Sequence, residues 1–398
     1  MFSRRFCLRS LVVGLSMCTL GSAWAADKPG LTIWTGDESF AAGFRKVAED
    51  YTRRTGIPVT VTMPSQRVTD AFQEAASKGL KGPDIFIWPH DHIGEWARKG
   101  WILPINPSPR LKDDVYQIVW DALTSNGKQW AYPVAVEVLT MVYNKNLVPE
   151  PPKNYEDLPA LHQKLKSKGV TTMSWDVRSS YYSWPLLAAG GANVFSRDMN
   201  GNYLPKQVGV NQPTVLKGLE YTMSLVKDGI IPGSMQTKEA EEAMKNGKLG
   251  ILVTGPWLWG DLKKANINYG IAPLPNFGGR AARPFVGVVG AMVSAKSTNQ
   301  KAAFDFLENA ITPQGLQVIN KYRPLGIPAS KELFWGFYED EHIRKAMEGV
   351  FTGGVMPNNP EMQYYWKYFD KALADSFSGA AKPKDALDTA AKAMAAGQ

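Results

Sequence analysis

Leu31-Thr32-Ile33-Trp34, Val59-Thr60-Val61-Thr62 and Pro83-Asp84-Ile85-Phe86-Ile87-Trp88 are three short apolar runs, each of a length that suits a buried strand rather than a helix. Between the first two, apolar residues recur at Phe40, Phe44, Val47, Ala48 and Tyr51, a helical spacing that Gly56 ends. A second helix is expected near 68–79. Strand, helix, strand, helix, strand predicts an α/β unit with a largely parallel sheet. Open sheets of this kind bind ligands outside the carboxyl ends of their strands. Asp37 and Glu38 lie at one such end, and Trp88-Pro89-His90-Asp91-His92 at another.

Further along, residues 131–144 form an almost wholly apolar run whose one charge is Glu137. A carboxylate in such surroundings needs a hydrogen-bonding partner within a core or a cleft to face. The run is long enough for a strand that crosses between domains. Leu249-Gly250-Ile251-Leu252-Val253-Thr254 reads as another buried strand, halted by Gly255-Pro256. Trp257 and Trp259 follow one residue apart, as lid packing over a core or as a flat platform for a ligand. Strands are expected again at 268–275 and 285–293, and helices near 155–168, 184–190, 215–228, 238–246, 301–310, 313–321 and from 360 onward. On that last helix Tyr365, Phe369 and Ala372 share one face, read as core, with Trp366 beside them.

The chain has 398 residues, enough for two domains, and its 44% apolar and 21% charged content is that of a globular protein. Arg4, Arg5 and Arg9 precede an apolar stretch at 11–20 and then Ala23-Trp24-Ala25, the form of a secretory signal cleaved after Ala25. The stretch is too short to span a bilayer. Cys7 and Cys18 both fall in it, so the mature chain has no cysteine and no disulfide. Lys and Arg number 45 against 37 Asp and Glu, and removing the signal takes away three arginines and no acid. The remaining charges are scattered, without the basic block that nucleic acid requires. His90 and His92 flank Asp91 as a candidate metal pair, but no third ligand stands nearby. Neither a phosphate-cradling glycine loop nor a Gly-x-Ser-x-Gly elbow occurs. No metal or cofactor is expected.

Several longer segments, in order and with few gaps, resemble the maltose/maltodextrin-binding proteins: Trp120-Asp121-Ala122, residues 131–137, Val142-Tyr143-Asn144-Lys145, Trp184-Pro185-Leu186, Gly255-Pro256-Trp257-Leu258-Trp259 and Arg283-Pro284-Phe285-Val286-Gly287-Val288. The resemblance covers essentially the whole mature chain. It implies the two-lobed (type II) periplasmic binding protein fold, an α/β fold in which each lobe is a mainly parallel sheet flanked by helices. Residues 26–135 with 286–340 would form the first lobe, and 141–285 with 341–398 the second. Crossovers at 136–140, about 286–290 and 338–342 would act as hinges of an interlobe cleft.

The sugar-contacting positions carried over by the resemblance are Asp37 or Glu38, Trp88, Asp91, His92, Glu137, Tyr181, Trp257 and Trp366. A gapless pairing selects Glu38, and a one-residue shift selects Asp37. Trp257 is then the ligand wall and Trp259, one strand-step on and expected to face the other side, the packing residue. The departures are the missing basic residue after the first acid, His92 in place of an Arg, Ser179-Ser180 in place of Glu-Pro, Lys367 in place of a tyrosine and Asp370 in place of an Arg. Indole faces suit the C–H face of a pyranose and carboxylates accept its hydroxyls. The implied function is a monomeric, non-enzymatic periplasmic receptor that delivers maltodextrin-type oligosaccharides to an ABC importer's membrane permease and its ATPase. The alternatives are another cargo (trehalose, sucrose or another glycoside) or a secreted glycosidase. The latter needs two carboxylates across a scissile bond. Asp91 and Glu137 are its candidates, and nothing in the sequence raises the pKa of either.

Overall fold

The computed structural model of the protein describes residues 29–397. The expected signal, with Cys7 and Cys18, lies outside the described residues. Among the described residues no helix is long and apolar enough to cross a membrane.

β1 (Leu31–Thr35) leads into α1 (Glu38–Thr55), which starts where the Asp37 carboxylate accepts hydrogen bonds from the backbone N–H groups of Ser39 and Phe40. The face carrying Phe40, Phe44, Val47, Ala48 and Tyr51 is buried. The helix stops at Gly56, whose φ of 71° is the left-handed conformation that glycine adopts without steric cost. β2 (Val59–Thr62), α2 (Val68–Lys78) and β3 (Ile85–Pro89) follow, and β1 pairs in parallel with both β2 and β3.

The apolar run at 131–144 is two strands rather than one. β4 (Tyr132–Val138) belongs to a first sheet and β5 (Thr140–Asn144) to a second, with only Leu139 between them. β6 (Thr171–Ser174), β7 (Leu249–Thr254) and β8 (Tyr269–Ala272) complete the second sheet, in the order β8-β5-β7-β6. β9 (Phe285–Val293), β10 (Ile327–Pro328) and β11 (Gly354–Val355) return to the first. Its order is β10-β4-β9-β3-β1-β2, with β11 alongside the start of β9. The helices that matter for the site are α3 (Ser180–Leu187), α4 (Pro313–Tyr322), α5 (Glu341–Thr352), α6 (Met362–Ser378) and α7 (Pro383–Ala396).

Both sheets are mixed, where mainly parallel sheets were expected. β9 runs antiparallel to β3 and β4, and β5 runs antiparallel to β7 and β8. The crossovers are the cause. β1, β3 and β4 end at the gap between the sheets, whereas β5 and β9 begin there. A strand that arrives from the other sheet has to run the opposite way.

Two further expectations are modified. Residues 286–290 lie inside β9, held by β4 on one side and by β11, His90 or β3 on the other, so this segment is ladder rather than hinge. The tail from 341 onward is not confined to the second sheet either. α5 packs on β8, but Gly354–Val355 then pairs with β9, and the Asn358 side chain donates to the carbonyls of Ala122 and Thr124, ahead of β4. The chain then forms α6. There Tyr365 and Phe369 are fully buried against Trp184 and Phe285, the core role expected of them.

Candidate functional site: an aromatic and acidic cavity between the sheets

A cavity of about 910 Å³ lies between the two sheets, in the size range of sites that enclose a small molecule. It takes in the carboxyl ends of β1, β3, β4 and β7, the start of α3 and one face of α6. Of the residues singled out in the sequence, Asp37, Trp88, Asp91, His92, Glu137, Tyr181, Trp257 and Trp366 all line it. Glu38 does not: as the first residue of α1 it points to solvent and pairs with Arg45 at 2.5 Å. The strand end turns the carboxylate of Asp37 inward, and the helix it caps carries its neighbour outward.

The aromatic wall comes mostly from α3, the turn after β7 and α6. The Tyr181 ring sits 6.4 Å from Trp257 and 6.5 Å from both Trp366 and Phe285, centroid to centroid. Trp257 and Trp259 are divided as expected, though not by strand alternation. β7 ends at Thr254, Pro256–Leu258 is a single 3-10 turn, and a helix begins at Trp259. Residues two apart on a strand share a face, but on a helical turn they point to nearly opposite sides, so Trp257 meets the cavity while Trp259 is buried. Gly255 makes room for this: a Cβ there would fall among the six-membered-ring atoms of Trp257, 2.7 Å from Cε3. Opposite, Trp88 at the end of β3 lies over Gly36, whose absent side chain lets the indole approach.

The polar floor is built around a residue absent from the sequence reading, Arg323. Its Nε donates to Asp37 Oδ2 at 2.8 Å, and its Nη2 pairs with Glu137 Oε1 at 2.6 Å. The guanidinium carbon lies 3.9 Å over the ring of Phe40. Glu137 thus has both things its apolar setting called for, a partner and a cleft. Burial pushes its carboxyl above the ordinary range, and Arg323 opposes the shift, an environment that the sequence did not announce. Burial works against the charge on Arg323, but Glu137 and Asp37 outweigh it and raise its pKa. One signal for this residue exists in hindsight. Pro324 forces Arg323 out of α4 into extended backbone, turning a cation inward at the end of an otherwise amphipathic helix.

Asp91 spans the gap. Its Oδ2 accepts a hydrogen bond from Trp366 Nε1 at 3.1 Å, while Oδ1 is buried without a partner. His92 stacks on Trp96 at 4.9 Å and lies 3.5 Å from both Asp91 and Glu95. Burial opposes its protonation, but those carboxylates prevail and hold the imidazole above its usual range. His90 faces the other way. Its Nδ1 accepts from Val288 N–H at 2.9 Å and its Nε2 lies 2.8 Å from the Met356 carbonyl, so it clamps β9 to the returning tail and both ring nitrogens are taken. Burial lowers its pKa. Sequence reasoning also missed Arg67, which lines the cavity from the start of α2 in a two-point pair with Asp70. Two of the departures meet each other here: Asp370 Oδ1 accepts from the Ser180 N–H at 2.7 Å and so serves the start of α3.

Together the cavity offers flat apolar faces, the unpartnered buried Oδ1 of Asp91, and a carboxylate pair fixed by an arginine. The family described as bacterial extracellular solute-binding protein matches residues 37–317. The chain is 28% identical over 403 residues to a galactooligosaccharide-binding protein of Bacillus subtilis (strain 168), covering 96% of this chain and 93% of that one. It is 28% identical over 337 residues to a maltotriose-binding protein of Pyrococcus abyssi, covering 81% and 72%. A maltooligosaccharide ABC transporter solute-binding lipoprotein of Streptococcus pneumoniae (strain R6) is 27% identical over 391 residues, covering 92% and 90%.

Proposed function

Since the chain belongs to the bacterial extracellular solute-binding protein family, whose members serve transporters as binding proteins and not as enzymes, we propose that it binds a maltodextrin-type oligosaccharide in the cavity between its lobes. In this reading the protein works in the periplasm as a monomer, after cleavage of its signal following Ala25. It delivers the sugar to the permease of an ABC importer, which the importer's ATPase drives. The observation that carries the reading is the composition of the cavity: three rings from the second lobe and Trp88 from the first, facing Asp37, Asp91 and Glu137. Stacking faces opposed to charged hydroxyl acceptors are what a pyranose needs. Lobes of 26–135 with 286–340 and 141–285 with most of 341–398 would close on the sugar, the stretch 354–358 staying with the first. Leu139 would be one hinge, the segment before Phe285 a second, and the loop between Gly336 and α5 a third.

A second cargo has its own support. The relative named for galactooligosaccharides is as similar as the one named for maltotriose, and the departures at Ser179, Ser180, Lys367 and Asp370 alter the polar rim while the rings stay. Titrating the intrinsic tryptophan fluorescence with maltose, maltotriose, galacto-oligosaccharides, trehalose and sucrose separates the two. A saturable response to maltotriose supports the first reading. Silence to every maltodextrin with a tight response to a galactoside replaces it.

A further inference from the structure

The buried charge cluster on the cavity floor poses a problem that stacking does not solve. Asp37 and Glu137 come from different parts of the chain, one capping α1 and the other in the crossover strand β4. Left alone, two carboxylates so close would repel and one would take up a proton. Arg323 touches both, with a different nitrogen on each, and its third nitrogen, Nη1, donates to the carbonyl of Pro324 at 3.3 Å. Its side chain is only 4% exposed, and Phe40 covers its face. Asp37 is fixed from the other side by the two backbone N–H groups it caps. Glu137 pairs with the arginine through Oε1 and lines the cavity.

We propose that Arg323 is the positioning residue of this site: by binding Asp37 and Glu137 at once, it holds both carboxylates aimed as acceptors for ligand hydroxyls. The hydroxyl part rests on the saccharide reading above; the hold on the two carboxylates does not. The other groups that bear on Glu137 are Asp37, Tyr181 and Tyr182. Across the ladder on β9 it faces Gly287, which carries no charge.

The test compares R323Q, R323K and the double variant R323Q/E137Q with the wild type. Ligand-free thermal unfolding is followed from about pH 5 to about pH 8, and maltotriose is titrated over the same range by tryptophan fluorescence. Without its cation, the buried Glu137 resists an ionisation that the unfolded chain accepts. R323Q is therefore expected to lose stability more steeply than the wild type as pH rises, R323K to follow the wild type more closely, and the double variant to lose the extra slope. Maltotriose affinity is expected to fall about ten- to hundred-fold in R323Q, the worth of hydrogen bonds to charged groups, and to weaken further as pH falls. A merely structural arginine would lower the unfolding temperature by the same amount at every pH, and that result overturns the proposal. So does maltotriose binding in R323Q that matches the wild type throughout. If R323Q does not fold, R323K carries the test, because one ammonium cannot reproduce the two-point hold: it is expected to fold and to bind maltotriose more weakly. R323K binding at wild-type strength overturns the proposal. If the wild type ignores maltotriose while the unfolding slopes separate as described, the saccharide reading fails and the role of Arg323 stands.

Discussion

Gly255→Ala tests the aromatic wall without altering any ring. The backbone at Gly255 is extended, with φ −119° and ψ −170°, a conformation open to alanine. The added methyl has no room only because Trp257 occupies it, with Cε3 at 2.7 Å from the new Cβ position. Forcing a methyl into a packed core costs about 1–3 kcal/mol. Here the ring borders a cavity and can swing away, so the stability loss should fall at the low end of that range. The cost then appears in binding. An indole buries roughly 150–250 Å² in all, so losing one covered face forfeits on the order of 50–100 Å². At about 25 cal/mol per Å² that is about 1–2.5 kcal/mol, or a roughly five- to seventy-fold weaker ligand. The assay is calorimetric titration of Gly255→Ala beside Trp257→Ala, with maltotriose or whichever sugar the panel selects. Thermal unfolding of both variants shows that the fold survives. Wild-type affinity and an unchanged tryptophan emission in Gly255→Ala would refute the reasoning, since the ring would then not depend on the missing side chain.

Asp91→Asn should leave an acceptor for Trp366 Nε1 but replace a charged oxygen facing the cavity. Sugar affinity is expected to drop about tenfold with little change in ligand-free unfolding, checked by titration and by circular dichroism. His90→Gln should keep both hydrogen bonds while removing a titrating group. In the wild type, burial holds the folded pKa of His90 below 6.5. Its stabilising contribution is therefore complete above about pH 6.5 and lost as pH falls toward that lower value, with a slope of at most about 1.4 kcal/mol per pH unit. Urea unfolding of wild type and variant across that window should show a steeper acid loss in the wild type, and parallel curves would count against the clamp.

Much of this architecture can be read from local pattern. The opening strand and helix run, the caps of α1 and the buried face of α6 each follow from residues within a few positions of one another. So does the need of Glu137 for a partner. What was hidden depends on distant segments. The partner itself, Arg323, is 186 positions away, and nothing near Glu137 points to it. The break at Leu139 was hidden because both halves of the run are equally apolar. The mixed direction of the sheets was hidden because apolar spacing records burial and not the sense of a strand. Asp37 and Glu38 are adjacent acids, and only the cap geometry tells which one reaches the cavity. Trp257 lines the cavity and Trp259 is buried for a reason that strand alternation does not supply, because a helical turn sends residues two apart to opposite sides.

The interleaving of the sheets also governs the order in which the protein can be assembled. β9 is the strand that joins β3 to β4, so the first sheet cannot close until Phe285–Val293 has left the ribosome, long after β1, β2 and β3. Arg323 arrives later still, and β11, α6 and α7 after it. Contacts between such remote segments make folding slow. While synthesis is under way the second sheet gains its last strand at Tyr269–Ala272, whereas the first still waits for β9, β10 and β11, so the two walls of the cavity become available at different times.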